Sequence, residues 1–163
     1  MAIRPLTMMD NPVLHRKAKR VRTIDDSIQK LIDDMIDTMR DTGGAGLAAP
    51  QIGVPLQVVV IEIPDEDVVT LINPELVKTS GEREMVEGCL SLPGYRGEVK
   101  RWESVTAKGR DRSGKAIRIK ADGLLAHVLQ HEIDHINGIV YIDHLESMDK
   151  LYKAEPTDSP EES

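Results

Sequence analysis

The run QHEIDHING, residues 130–138, sets two histidines four positions apart with a glutamate beside the first. On an α-helix His131 and His135 project from one face a turn apart, so both imidazoles can reach one divalent ion. Glu132 is rotated by about 100° from His131. That is a poor place for a third ligand but a good one for a base that takes a proton from water at the ion's open position. The ion lowers the pKa of water from about 15.7 towards ~7, which brings the transfer within reach of a carboxylate at neutral pH. The surrounding sequence is apolar, and three of the chain's five histidines fall within nine residues; unpaired imidazoles buried there would be costly, a cost that a metal relieves. His127 continues the four-residue series, but it lies about 12 Å from His135 along a helix axis. One ion cannot bridge that gap, so His127 reads as a hydrogen-bonded core histidine or a pocket wall.

A catalytic ion needs a third protein ligand, and the only soft candidate is Cys89 in EGCLSLPG, the chain's single cysteine. Beside a divalent ion its thiol is deprotonated; the alternative for a lone cysteine is a small buried hydrophobe. The stretch GGAGLAAPQIG, residues 43–53, combines small residues that permit close backbone approach, as where an extended ligand pairs with a chain edge. It can also simply end a helix and turn the chain. Gln51, within the stretch, adds an amide donor. Glu87 and Arg101 can form an ion pair bracing the cysteine segment, or both be solvated. Asp134 faces away from the histidine stripe, towards a surface arginine.

Few elements are available to position these groups. From about Thr23, Ile24, Ile28, Leu31, Ile32, Met35, Ile36 and Met39 recur at helical spacing until Gly43 and Gly44. LQVVVIEI and VVTLINPELV are β-branched runs around the acidic turn PDED, a hairpin signal. GEVKRWESVTAKGR and AIRIK flank the turn DRSGK and alternate as one-sided antiparallel strands do. SGEREMVEGCLSLPGYRG reads as turn-rich. After Asp122, a candidate N-cap, GLLAHVLQHEIDHI is an apolar helix closed by Gly138; IVYI suggests a short strand and ESMDKLYK a last helical turn. Strand runs outnumber helices without strand–helix alternation, which predicts an α+β fold. Residues 1–153 read as one catalytic domain and 154–163, AEPTDSPEES, as an acidic, disordered tail.

Net charge is -7, and there is no Phe, one Trp and three Tyr. Stacking on single-stranded nucleic acid and sequence-specific nucleic-acid binding are therefore poor expectations, and a mildly acidic body does not advertise phosphate binding. A single cysteine excludes an intrachain disulfide, and no segment has the length of a membrane span or the pattern of a signal peptide. A cytoplasmic protein is expected.

GAGLAAPQ, EGCLSLP and QHEIDH, in this order and spacing, resemble the three signature motifs of peptide deformylases, and the likeness extends over most of residues 10–145. The resemblance implies antiparallel strands around the H-E-x-x-H helix and a tetrahedral metal on Cys89, His131 and His135. Glu132 would be general base and then acid, with Gln51 and the Leu90 backbone N–H on the oxyanion. It implies removal of formyl from the N-terminal formylmethionine of nascent peptides near the ribosome exit, with Fe²⁺ as the ion and Zn²⁺, Ni²⁺ or Co²⁺ as substitutes; thiolate and imidazole ligands alone leave zinc and iron open. Gly46 would pair with the peptide backbone and Arg96 lie near it, while Ala45, Val86, Glu87, Leu124, His127 and Val128 would wall the methionine pocket. Ala45 and His127 stand where larger aliphatics are usual in the family, which implies a wetter, reshaped pocket. Two other readings fit the helix motif. One is a metallopeptidase with a downstream ligand among Asp143, His144 and Glu146; the other is a non-catalytic peptide-binding relative with a structural metal.

Overall fold

The structure is a computed structural model and describes residues 2–153, so the expected acidic tail lies outside the described residues. Six strands form one antiparallel sheet: β1 (Gly46–Ala48), β2 (Val58–Ile61), β3 (Val69–Cys89), β4 (Leu92–Arg110), β5 (Ala116–Asp122) and β6 (Leu151–Lys153). The order is β1-β2-β3-β4-β5, with β6 paired to β4. Two helices, α1 (Asp26–Thr42) and α2 (Gly123–Ile136), pack on it, and the fold is α+β as expected.

α1 starts where the Asp25 carboxylate accepts from the Ile28 N–H and stops at Gly43, whose φ of 74° suits a residue without Cβ. Its apolar stripe, Ile28, Leu31, Ile32, Met35 and Met39, is buried. β2 is continuously apolar because both of its faces are covered: Val58 and Val60 join the core under α1, Val59 and Ile61 the core that includes α2. α2 is correspondingly the central element, with every residue from Ala126 to Ile133 buried. Asp122 stands at its N-cap without a side-chain hydrogen bond, and the helix ends at Ile136, ahead of Gly138.

Three local expectations are corrected. The segment read as turn-rich is a long hairpin: β3 and β4 stay paired through Glu84↔Lys100, Met85↔Val99 and Glu87↔Gly97 to Cys89↔Leu92. Backbone pairing carries strands that lack a hydrophobic alternation, with Glu84 opposite Lys100 as one pair of complementary charge. Only Leu90 and Ser91 form the turn, and a register shift between Glu87 and Cys89 re-aims the sulfur. The IVYI strand is instead a 3-10 turn over Tyr141–His144, curled by the Asp143 carboxylate accepting from the Val140 N–H at 2.9 Å. The last segment is a 3-10 turn, Met148–Lys150, running into β6.

Candidate metal centre

α2 and the tip of the β3–β4 hairpin meet below the surface. Cys89 and His135 have no exposed surface and His131 has 3 %. His135 Nε2 lies 3.1 Å from His131 Nε2 and 3.4 Å from Cys89 Sγ, and one ligand atom from each residue lies within 4.8 Å of the others. Metal–N distances of about 2.05 Å and metal–S distances of about 2.3 Å at tetrahedral angles imply edges of about 3.3 Å between nitrogens and 3.6 Å from sulfur to nitrogen. The observed separations match a slightly contracted tetrahedral face, so the three residues fit a metal ion. The downstream alternatives are elsewhere: His144 Nε2 lies 2.8 Å from Asp134 Oδ2, and the Asp143 carboxylate is spent on Val140.

Glu87 holds the ligand set from behind. One carboxylate oxygen accepts from His131 Nδ1 at 2.7 Å and the other from His127 Nε2 at 2.6 Å. Arg101 closes on the same carboxylate as a fork, Nε to Oε1 at 2.9 Å and Nη2 to Oε2 at 2.6 Å, and Arg101 Nη1 continues to Asp134 Oδ2 at 2.6 Å. Burial opposes the Glu87 charge, but His131 and the hydrogen bonds from His127, His131 and Arg101 outweigh it and hold its carboxyl well below the usual range. Burial likewise works against a proton on His131, yet the Glu87 charge and the hydrogen bonds with Cys89 and Glu87 raise that imidazole well above its ordinary value. Burial and then the neighbouring His131 push His135 well below its own. The consequence is directional: a carboxylate on Nδ1 fixes the His131 tautomer and leaves Nε2 to coordinate.

The other predicted residues gather around this centre. Gln51 accepts from the Ala48 N–H through Oε1 at 3.0 Å, which turns its Nε2 donor towards Cys89 Sγ at 3.6 Å and Ser91 Oγ at 3.4 Å. Leu90, 8 % exposed, is the turn residue directly after Cys89. Glu132 is fully buried on α2, and Gly46 explains its own lack of a side chain: a Cβ there would stand 2.8 Å from Glu132 Oε2 and 2.8 Å from Val128 Cγ1. Ala45, Leu124 and Val128 belong to one core cluster, whereas Val86 is exposed. His127 is 2 % exposed and turned to Glu87. Arg96 is buried, packs on Gly88 and donates to the Tyr95 carbonyl at 2.6 Å.

Sequence reasoning passed over Ser91, beside Gln51, and Tyr141, whose ring stacks on His131 at 6.5 Å between centroids. Ser91 was signalled by its place in EGCLSLP; nothing in the sequence signals Tyr141. Asp134 does reach an arginine, but Arg101 is a buried one, 4 % exposed.

Comparison with known proteins bears on the whole chain. The family profile described as polypeptide deformylase matches residues 3–151. The chain belongs to the peptide deformylase family. A peptide deformylase of Dehalococcoides mccartyi (strain CBDB1) is 58 % identical over 164 residues, covering 99 % of this chain and 98 % of that one. Among solved structures, a peptide deformylase from Legionella pneumophila superposes with a TM-score of 0.88 at 48 % identity, over 91 % of this chain and 89 % of that one. One from Ehrlichia chaffeensis in complex with actinonin gives 0.89 at 35 % identity, over 92 % of each chain. The chain is accordingly a metal-dependent hydrolase that removes the formyl group from newly made polypeptides. No helix among the described residues is long and apolar enough to cross a membrane.

Proposed function

We propose that Cys89, His131 and His135 hold a ferrous ion, that Glu132 is the general base and acid of deformylation, and that Gln51 and the Leu90 backbone N–H stabilise the oxyanion. The family resemblance favours iron, with zinc, nickel or cobalt as substitutes; the ligand set suits iron and zinc alike. A bound divalent ion supplies Lewis acidity, bringing the pKa of water from about 15.7 to ~7. Glu132 takes a proton from the water that attacks the formyl carbon. As the C–N bond breaks, the same carboxyl returns the proton to the amine nitrogen, and formate and a free N-terminus leave. The amide of Gln51, anchored by Ala48, presents a preorganised donor where negative charge develops on the formyl oxygen.

Strand β1 is the end strand of the sheet path, and we assign the Gly46 backbone to pair with an extended peptide there. We assign the methionine side chain to a pocket walled by Ala45, Val86, Glu87, Leu124, His127 and Val128, with Arg96 beside the peptide, and the whole catalytic unit to residues 1–153. We also assign its place of work to the neighbourhood of the ribosome exit, where its substrates emerge.

The convergence of one sulfur and two imidazole nitrogens within 4.8 Å carries this reading. Anaerobic metal analysis beside a formate-release assay tests it: one iron per chain and activity are expected, and Cys89→Ala should lose both. Retention of metal by that variant would refute the ligand assignment. Equal rates on formyl-Met, formyl-Leu and formyl-Ser peptides would refute methionine selectivity.

A further inference from the structure

Two clefts lie away from the catalytic centre. They adjoin, with volumes of about 460 and 870 Å³, and share Arg20, Asn73 and Arg110. Their walls carry six cations, Lys19, Arg20, Arg22, Lys108, Arg110 and Arg118, all exposed, against one acid, Glu75. Six of the chain's 21 Lys and Arg thus line one surface, where among the described residues a single acid joins them. A net charge of -7 conceals a polarised molecule.

The arrangement is rigid and leaves charge unspent. The Asn73 side chain accepts from the Val21 N–H at 2.8 Å and donates to its carbonyl at 2.9 Å, clamping the residue between Arg20 and Arg22. On the sheet, Lys108 and Arg118 stand directly opposite each other across β4 and β5, a like-charge placement that costs stability. Glu75 pairs with Lys108 at 3.3 Å, and Arg110 donates to the Gly114 carbonyl at 2.8 Å. Among the described residues Lys19, Arg20, Arg22 and Arg118 have no side-chain hydrogen bond or ion pair.

We propose that this electropositive cleft between the Lys19–Arg22 segment and the open face of β4 and β5 binds the phosphate backbone of double-helical RNA. Guanidinium groups match phosphate oxygens in pairs. Among the described residues the cleft has no aromatic side chain, hence no platform for unpaired bases, so recognition runs through backbone and helix shape, not base sequence. None of the exposed large apolar side chains, Ile3, Met8, Val86, Trp102, Met148 and Tyr152, lies in it to insert into a bilayer. No residue of β1 is among the cleft's walls, so RNA held here leaves the peptide edge open. Docking on RNA beside a nascent chain would deepen the proposed place of work, while the catalytic reading stands without it.

The test is fluorescence anisotropy of a labelled RNA duplex of about 16 base pairs and arbitrary sequence with the full chain, from about 50 to 200 mM salt. Binding is expected to weaken with salt with a log–log slope of about -4, for four to five phosphates. Arg20→Glu with Arg118→Glu should weaken it at least about tenfold and flatten the slope by about two, with formate release from a short formyl peptide unchanged. The milder Arg20→Gln with Arg118→Gln, checked by its thermal midpoint, should move the same way, and Lys78→Glu with Arg83→Glu, on β3 outside the cleft walls, should not. Absence of salt-dependent binding, or indifference to both cleft variants, overturns the proposal. So does tighter binding to acidic-phospholipid vesicles than to the duplex, or RNA binding that appears only once residues 154–163 are removed, which would make the chain's own acidic tail the occupant.

Discussion

Replacing Glu87 by glutamine removes a single charge and tests the scaffold behind the metal ligands. The carboxylate takes four contacts of 2.6–2.9 Å, two from Arg101 and one each from His127 and His131. An amide of the same shape can offer its oxygen to one pair of donors only; its NH₂ then faces the other pair, donor against donor. Arg101, 4 % exposed, keeps Asp134 as its remaining carboxylate partner. Breaking a buried pair in this way costs about 3–5 kcal/mol. Releasing His131 Nδ1 should weaken metal binding by about 10–100-fold, or about 1.4–2.7 kcal/mol. Denaturant unfolding of metal-free protein measures the first quantity, and chelator competition with the refolded variant measures the second. A Glu87→Gln protein whose metal affinity is within about twofold of the parent would refute the claim that this carboxylate orients His131.

Gly46→Ala would push a Cβ against Glu132 Oε2 and Val128 Cγ1, both at 2.8 Å; formate release should fall by about 10²-fold through displacement of the base, with metal content unchanged. Glu132→Gln should lower turnover by about 10²–10⁴-fold while the purified protein still holds one metal per chain. Asp34, buried on α1, accepts from the Ala2 N–H and from the Arg4 and Lys30 side chains; burial opposes its charge, but the bonds from Arg4, Lys30 and Ala2 win and its carboxyl is held down to about 2. A depressed folded-state pKa stabilises above the unfolded value, 3.8, and that stabilisation is lost as pH falls through about 2. Asp34→Asn should therefore lower stability by about 1–3 kcal/mol at pH 7, a gap that narrows when both proteins are melted near the lower value.

Chemistry was legible where one local element carries it. Spacing of four within an apolar run put His131 and His135 on one helix face, and the same logic drew α1 from Ile28 to Met39 and the strands around PDED and DRSGK. The long hairpin was not legible, because Ser80 to Glu84 pair through the backbone and show no hydrophobic alternation. Nor was the role of Tyr141, since its segment is curled by one Asp143 bond and only the folded chain sets its ring over His131.

The sequence by itself determined which groups exist and which share a helical turn: two imidazoles, a carboxylate between them, a single thiol and a stretch of small residues. Folding decided that the thiol, some forty residues upstream, enters that helix's field through a tight turn at Leu90 and Ser91, and that Glu87 and Arg101 are an internal buttress instead of solvated surface. The division has a physical cause: period and capping are local properties of a chain, whereas convergence and burial depend on how a sheet twists around a helix. The same holds for the basic cleft, whose cations come from three separate segments and are gathered only by strand register and the grip of Asn73.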